Sequence, residues 1–208
     1  MELFIGTPTY IKALSVDYVR SLVESAIYLT GQKIRLTHYV LAGSPFIGKA
    51  RNEIVDAFLK SEATDLLFVD ADVGFDCKVL PRLLKYEQDV VCGLVPKRNN
   101  DDPADYHMNA LTGKISPEGL FESLEVPTAF MRIRRQAFDK IAKPYFRAES
   151  SEDAFGEDIY FCRKLVCAGE SMWIDSDISF THTGDHIWRG NFYDHCVKTG
   201  VLNKAQAA

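Results

Sequence analysis

The segment LLFVDADVGF, residues 66–75, contains four apolar residues followed by two aspartates that are separated by one alanine. A run of bulky apolar residues is typical of a strand that is buried on both faces of a sheet. In an open parallel sheet, ligands bind beyond the carboxyl ends of the strands, which is where Asp70 and Asp72 would lie. The segment therefore predicts either a ligand site or an ordinary acidic turn after a buried strand.

Two carboxylates this close repel each other unless a cation lies near them. Hard divalent cations such as Mg²⁺ and Mn²⁺ bind carboxylate oxygens and share their other positions with water and phosphate. One interpretation of the motif is therefore a metal anchor for a diphosphate. The other is a haloacid dehalogenase-like phosphatase with Asp70 as the nucleophile. We favour the first, because in such phosphatases the motif usually comes early in the chain and is followed by Gly and Thr.

The first 95 residues alternate between strand and helix patterns. Strand-like runs occur at residues 3–5, 34–41, 66–69 and 89–93, and helical spacing of apolar residues occurs at 16–27, 50–58 and 79–84. Alternation of this kind predicts a parallel sheet with helices on both faces.

The pattern changes after Val95. Residues 96–119 are polar and rich in Pro, Gly and Asn, and we expect a long loop there that is functional or mobile. Beyond it, residues 128–141 predict a strand and a helix, residues 156–170 predict an amphipathic helix that ends at Gly169, and residues 171–175 predict a strand.

Composition excludes several classes of protein. With 208 residues, 47% hydrophobic and 25% charged, the chain is long enough for one globular domain with a sizeable core. Its net charge of −5 argues against general nucleic-acid binding, which needs a basic surface. The five scattered cysteines, among them Cys92, Cys162 and Cys167, are expected to be reduced core residues. We predict no signal peptide, and no run approaches the roughly 20 apolar residues of a membrane span.

Further motifs flank the aspartates in a fixed order. They are FIGTPTY (4–10), ARN (50–52), GLVPKR (93–98), TAFMRIRRQAF (128–138), GEDIYFCRKLVCAG (156–169) and ISFTHTG (178–184). This ordered set resembles the glycosyltransferases of the GT-A fold, most closely small viral and phage-type members such as the glycosyltransferase domain of a chlorella virus. Each motif alone is weak, whereas their common order over roughly residues 3–190 is specific.

The resemblance implies a single Rossmann-like α/β domain over residues 1–208, with a central, mostly parallel mixed sheet flanked by helices. Residues 1–95 would be its nucleotide-binding half, and residues 96–208 the half that binds the acceptor and closes over the metal. The implied activity is transfer of a hexosyl group from a nucleoside-diphosphate sugar, with a UDP-sugar favoured, to a hydroxyl of a glycan on a protein or lipid carrier. We expect no nucleic-acid partner, no integral membrane segment, and a location in the cytoplasm, which is the host cytoplasm if the protein is viral.

The resemblance also assigns a metal site. Asp72 would bind Mn²⁺ or Mg²⁺ directly, and Asp70 would support it by contacting the ribose or a metal-bound water. The cation would neutralise the nucleoside diphosphate as it leaves. His182 matches the late histidine ligand of the family, with His186 as the fallback. A lone histidine is otherwise often a hydrogen-bonded structural residue.

The acidic pair Glu157 and Asp158 is expected at the start of a helix, where acids also interact favourably with the helix dipole. In inverting members of the family the aspartate of such a pair is the general base that deprotonates the acceptor hydroxyl. We therefore predict Asp158 as the base, Glu157 as a residue that orients it or the acceptor, and an inverting reaction. A retaining enzyme would not need this base.

The other predicted donor contacts have structural alternatives. These residues are Thr7, Pro8, Thr9, Tyr10, Arg51, Ala71, Lys97 and Arg98. The loop after the first strand would offer backbone groups and an aromatic ring to the base, or form a capped turn. The basic residues would contact the nucleotide, the first aspartate, the diphosphate or the sugar, or be solvated charges. The segment DHIWRGNFYDH (185–195) would be a mobile flap over the donor or simple C-terminal packing.

Overall fold

A computed structural model of the chain describes residues 1–98, 105–107, 110–148, 155–184 and 187–202. The strands are β1 (Glu2–Thr9), β2 (Arg35–Ala42), β3 (Asp65–Val69), β4 (Val73–Phe75), β5 (Val90–Cys92), β6 (Leu111–Ile115), β7 (Phe121–Ser123), β8 (Phe130–Arg134), β9 (Met172–Ile174), β10 (Ser179–Thr183) and β11 (Ile187–Asn191). The helices are α1 (Val16–Gly31), α2 (Ile47–Lys60), α3 (Val79–Lys85), α4 (Glu157–Cys167) and α5 (Phe192–Lys198), with a 3₁₀ helix at Arg135–Asp139.

The main sheet is a mixed sheet of eight strands in the order β2-β1-β3-β8-β5-β9-β7-β6. β1 is parallel to β2 and β3, and β5 is parallel to β9. β8 lies between β3 and β5 and is antiparallel to both, and β7 is antiparallel to β9 and β6. A second sheet has the order β11-β10-β4. Strands from both halves of the chain thus belong to one main sheet.

The strand that precedes the two aspartates lies inside the main sheet, where every residue of β1 and β3 is buried. Because side chains alternate between the two faces of a strand, Phe68 packs with residues of α2 and α4, whereas Leu67 and Val69 pack with residues of α1 and α3. The helices therefore cover both faces, and the carboxyl end of β3 is held in place from both sides.

Two local predictions are wrong. Residues 96–119 were expected to form a loop, but β6 lies within this range and pairs with β7 in an antiparallel hairpin. Residues 99–104 and 108–109 of the range lie outside the described residues. Its residues are mostly exposed, so it lacks the apolar alternation by which a strand is recognised in a sequence. The helix expected after the strand at residues 130–134 is only a 3₁₀ helix of five residues.

All five cysteines are free thiols, and four of them are buried; Cys167 was expected in the core but is exposed. Within the described ranges, none of the helices combines the length and the apolar character that crossing a membrane requires.

Candidate active site

A cleft with a volume of about 680 Å³ lies at the carboxyl ends of β1 and β3. Its lining includes ten of the predicted site residues: Pro8, Thr9, Tyr10, Arg51, Asp70, Ala71, Asp72, Arg98, Glu157 and Asp158. The fold therefore brings the aspartate pair and the acidic start of α4 to the same cavity, although they are far apart in the sequence.

Arg51 connects these two acidic groups. Its side chain is almost fully buried; Nη2 donates to Asp70 Oδ1 over 3.1 Å, and Nε donates to Glu157 Oε1 over 3.1 Å. The guanidinium also lies over the ring of Phe68, 5.1 Å from its centroid. Of the two roles considered for Arg51, the structure shows the contact with the first aspartate.

Asn52, the next residue of α2, holds a neighbouring segment against the helix. Its Nδ2 donates to the carbonyl oxygens of Gly48 and Phe146, and its Oδ1 accepts from the backbone N–H groups of Tyr145 and Phe146. No separate role was predicted for this residue from the sequence. Its amide completes four hydrogen bonds and so fixes α2, with Arg51, at the edge of the cleft.

The second aspartate lies close to the late histidine. Asp72 Oδ1 is 3.7 Å from His182 Nε2. The guanidinium of Arg98 forms an ion pair with Asp72, and its Nε donates to His182 Nε2 over 3.0 Å. Arg98 therefore contacts both of the residues that were predicted to bind the metal.

The protonation state of His182 follows from its partners. Its Nδ1 lies 2.7 Å from the carbonyl oxygen of Pro96, which can only accept, so Nδ1 carries the proton and Nε2 has the lone pair. Burial lowers the pKa of His182 below its usual value, and the charge of Arg98 lowers it further. The imidazole is therefore neutral at pH 7.

Pairing between short strands brings Asp72 and His182 together. β10 is antiparallel to β4, with His182 opposite Val73, and the backbone N–H of Thr183 donates to the carbonyl oxygen of Asp72 over 2.8 Å. The late histidine segment is thus joined directly to the residues that follow β3. The fallback ligand, His186, lies outside the described residues.

The donor set at Asp72 and His182 fits a divalent cation. A histidine that donates Nδ1–H to a carbonyl and presents the Nε2 lone pair has the outer contact that metal-bound histidines usually have. Among the described residues there is no cluster of three or more His, Cys, Asp or Glu side chains that could hold a metal ion. A cation bound by these two side chains would take its other ligands from phosphate and water, as Mg²⁺ commonly does.

Asp158 lies in the first turn of α4, which begins after Gly156. Its Oδ1 accepts from the N–H of Ile159 over 2.8 Å, and a Cβ at position 156 would lie only 2.6 Å from that oxygen. A glycine at position 156 therefore leaves room for this carboxylate. Burial raises the pKa of Asp158 above its usual value, and the adjacent charge of Glu157 raises it further. A more basic carboxylate in a cleft suits proton abstraction.

Two predicted donor contacts are absent from the lining of the cleft. Thr7 is buried, and its hydroxyl pairs with that of Tyr18 over 2.5 Å. Lys97 forms an ion pair with Asp105 over 2.6 Å. Thr7 therefore connects β1 to α1, and Lys97 connects the segment after β5 to Asp105.

The loop after β1 presents an aromatic ring at the cleft. The hydroxyl of Thr9 is used within this loop, where it donates to the carbonyl oxygen of Ala13 over 2.9 Å. Tyr10 also lines the cleft and is 69% exposed, so its ring is accessible to a ligand. The apolar residues Ile11, Leu14 and Ile47 line the cleft as well. Sequence reasoning missed these three, because nothing distinguishes them from core residues.

The C-terminal segment forms β11 and α5 rather than an irregular tail. Phe192 and Cys196 of α5 are buried, and the ring of Phe192 packs edge-on against that of Tyr106 at 5.3 Å. For α5 the structure therefore shows the packing role, one of the two that were considered.

No protein-family model and no curated protein sequence matches the chain. Among solved structures, it is similar to the viral protein A197 from STIV, with a TM-score of 0.62 and 20% sequence identity over 89% of this chain and 87% of that one. It is also similar to the 1–349 fragment of S. aureus TarS in complex with UDP, with a TM-score of 0.50 and 18% identity over 85% of this chain and 58% of that one. The chain thus spans less than two thirds of the TarS fragment.

These similarities, together with the eight-stranded mixed sheet and its flanking helices, confirm the predicted α/β fold. The described strands of the main sheet form three parallel and four antiparallel pairs, so the sheet is mixed but not mostly parallel. The chain has the GT-A fold.

Proposed function

We propose that this chain is a metal-dependent glycosyltransferase that moves a hexosyl group from a nucleoside-diphosphate sugar to a hydroxyl of a glycan acceptor. The observation that carries the proposal is that Asp72, the metal-ligand candidate, and Asp158, the base candidate, line the same cleft at the carboxyl ends of β1 and β3. A UDP-sugar is the favoured donor, and the similarity to a TarS fragment in complex with UDP supports this choice.

The proposed metal ligands are Asp72 and His182, with Mn²⁺ or Mg²⁺ as the cation. When bound, the cation supplies charge neutralisation for the departing diphosphate. Asp70 is held in place by Arg51 and would support the cation by contacting the ribose or a metal-bound water.

Different residues of the cleft are proposed to bind the nucleoside and the diphosphate of the donor. Tyr10 binds the nucleoside, because an exposed aromatic ring suits stacking on a base, and Pro8 and Thr9 line the cleft beside it. Arg98 binds the diphosphate, since a guanidinium matches phosphate oxygens in geometry and charge. Thr7 and Lys97 do not line the cleft and are assigned structural roles through Tyr18 and Asp105.

In the proposed reaction, Asp158 accepts the proton of the acceptor hydroxyl as that oxygen attacks the anomeric carbon. The bond between this carbon and the diphosphate oxygen breaks, and its electron pair leaves with the nucleoside diphosphate. Attack from the side opposite the leaving group inverts the anomeric centre. Glu157 is a positioning residue, because its carboxylate is paired with Arg51.

The phosphatase alternative is not favoured. Asp70 would be its nucleophile, but this carboxylate accepts a hydrogen bond from the buried guanidinium of Arg51, which reduces its nucleophilicity. The remaining alternative is a protein that binds a nucleotide sugar without turning it over.

The test is release of nucleoside diphosphate from a panel of UDP-, GDP-, dTDP- and CDP-sugars, with Mn²⁺, and with and without a set of glycan acceptors. We expect turnover with at least one donor, and loss of turnover with retained donor binding in Asp158→Asn. Binding without turnover across the panel would favour the non-catalytic protein. A phosphoryl group trapped on Asp70 would favour the phosphatase.

A further inference from the structure

Arg98 occupies the position between Asp72 and His182 where a metal ion would have to bind. Its guanidinium is paired with the carboxylate of Asp72, and its Nε–H donates to Nε2 of His182 over 3.0 Å. Because Nδ1 of His182 is bound to the carbonyl of Pro96, Nε2 is the only nitrogen of this ring that carries a lone pair. Arg98 therefore uses the one lone pair through which His182 can bind a cation.

A divalent cation and Arg98 exclude each other at these two residues. The histidine lone pair cannot accept from Arg98 and bind a metal at the same time. A guanidinium in contact with the same carboxylate would also repel the incoming cation, and this repulsion is strong at contact distance in a partly buried cleft.

We propose that Arg98 is an internal cation that holds the metal site in the unliganded protein, and that it must leave Asp72 and His182 before a divalent cation binds there. This inference rests on the proposed function, in that it concerns the same site. It assigns to Arg98 a second role besides contact with the diphosphate, namely control of when the metal binds.

The surroundings of Arg98 allow its side chain to move while the backbone before it stays in place. The side chain is 44% exposed. The preceding residue is held by a salt bridge from Lys97 Nζ to Asp105 over 2.6 Å and by a backbone hydrogen bond between the same two residues over 2.8 Å. Gly184 lies against the aliphatic part of Arg98, and a Cβ at that position would be 3.3 Å from Arg98 Cδ. A glycine at position 184 thus leaves room for the side chain of Arg98.

Replacement of Arg98 by a divalent cation at Asp72 and His182 couples binding of the cation to binding of the diphosphate. When Arg98 leaves Asp72, it needs another anionic partner, and phosphate oxygens in the same cleft are such a partner. A nucleoside diphosphate should therefore make cation binding easier in the wild-type protein, and by reciprocity the cation should make diphosphate binding easier. Without the Arg98 guanidinium, the cation should bind more tightly alone, and the diphosphate should add less to its affinity.

The test measures the dissociation constant of Mn²⁺ alone, by titration followed with electron paramagnetic resonance, in the wild type, Arg98→Gln and Arg98→Lys. Removal of a competing ion pair of about 1 kcal/mol corresponds to roughly fivefold tighter binding, so we expect Arg98→Gln to bind Mn²⁺ at least about fivefold more tightly. Arg98→Lys keeps the charge but lacks the guanidinium fork that contacts Asp72 and His182 together, so its Mn²⁺ affinity should lie between those of the wild type and Arg98→Gln. The titration is then repeated with UDP present, where the gain from UDP should be smaller in Arg98→Gln.

Two control variants make the result specific. Arg163→Gln removes an arginine whose exposure is similar and which is paired with Glu125 over 3.1 Å, so it changes the net charge equally but should leave Mn²⁺ affinity unchanged. Adding Asp72→Asn to Arg98→Gln should abolish the gain. Equal or weaker Mn²⁺ binding in Arg98→Gln, or no Mn²⁺ binding in either protein, overturns the role of Arg98. Nucleotide-sugar turnover tests the proposed function separately, because its outcome does not depend on how Arg98→Gln binds Mn²⁺ alone.

Discussion

Ionised Asp158 is suited to its proposed catalytic role but lowers the stability of the folded protein. Its carboxylate is drawn into the cleft at the start of α4, where burial raises its pKa. The folded protein therefore binds this proton more tightly than the unfolded chain, in which an aspartate has a pKa of about 3.9. Stability must fall as the pH rises from about 3.9 through the raised pKa, and at higher pH the ionised carboxylate remains unfavourable.

The first prediction follows from the loss of stability on ionisation of Asp158. Asp158→Asn should raise the thermal unfolding temperature at pH 7 and lower transfer by about 10²- to 10⁴-fold, the usual contribution of a general base. The gain in stability should shrink at about pH 4, where Asp158 is increasingly protonated in the folded protein as well. Scanning calorimetry of Asp158→Asn and the wild type at pH 4 and pH 7 measures this difference in unfolding temperature.

Glu157→Gln is the matched comparison, because it removes a charge that is paired with Arg51 and should therefore lower stability. If Asp158→Asn also destabilises the protein at pH 7, burial of this carboxylate is not unfavourable, and one argument for its basicity is lost.

The second prediction concerns Arg51, whose side chain is buried between Asp70 and Glu157. Arg51→Met should lower the free energy of unfolding by about 3 kcal/mol or more, because it leaves two carboxylates without their cation. Arg163→Met, which breaks an exposed pair with Glu125, should cost no more than about 1 kcal/mol. Urea denaturation of both variants measures the difference, and similar losses would contradict the connecting role of Arg51.

At the scale of elements, the long buried strands were recognisable in the sequence, whereas the short ones were not. β3 was predicted because its side chains are apolar on both faces, and α1 because its apolar residues recur at helical spacing. β4 has only three residues and is a strand because β10 pairs with it from far along the chain. A partner of that kind leaves no local pattern, so the link between Asp72 and His182 was not visible in the sequence.

The third prediction tests that link. A Cβ at Gly74 of β4 would lie 2.4 Å from Thr181 Oγ1 of β10 and 2.8 Å from Asp17 Cβ. Gly74→Ala should therefore push β10, with His182, away from Asp72 and weaken Mn²⁺ binding by roughly tenfold, the lower end of what loss of a supporting contact costs a metal site. Gly31→Ala is the control, since nothing lies within 4 Å of a Cβ there. Equal Mn²⁺ affinity in the two variants would show that the spacing of β4 and β10 does not set the site.

At the scale of the whole molecule, the order of motifs predicted the fold, and the mixed sheet agrees with it. The contacts that build the cleft were beyond sequence reasoning, because they join distant residues. Arg51 and Glu157 are 106 positions apart, and Arg98 and His182 are 84 apart. The residue types predicted a metal and a base, but the presence of Arg98 between the proposed metal ligands followed only from the fold.

The central claim is that Asp72 holds a divalent cation which in turn binds a nucleoside diphosphate. The direct measurement is isothermal titration of UDP into the wild type, Asp72→Asn and Asp76→Asn, each with and without Mn²⁺. Asp76 is an exposed acid that directly follows β4 and does not line the cleft. Its replacement therefore changes the net charge by the same amount as Asp72→Asn, but outside the cleft. We predict Mn²⁺-dependent binding of UDP in the wild type and Asp76→Asn, and its loss in Asp72→Asn. Equal Mn²⁺-dependent affinity in all three proteins, or UDP binding by the wild type that does not depend on Mn²⁺, would contradict the claim.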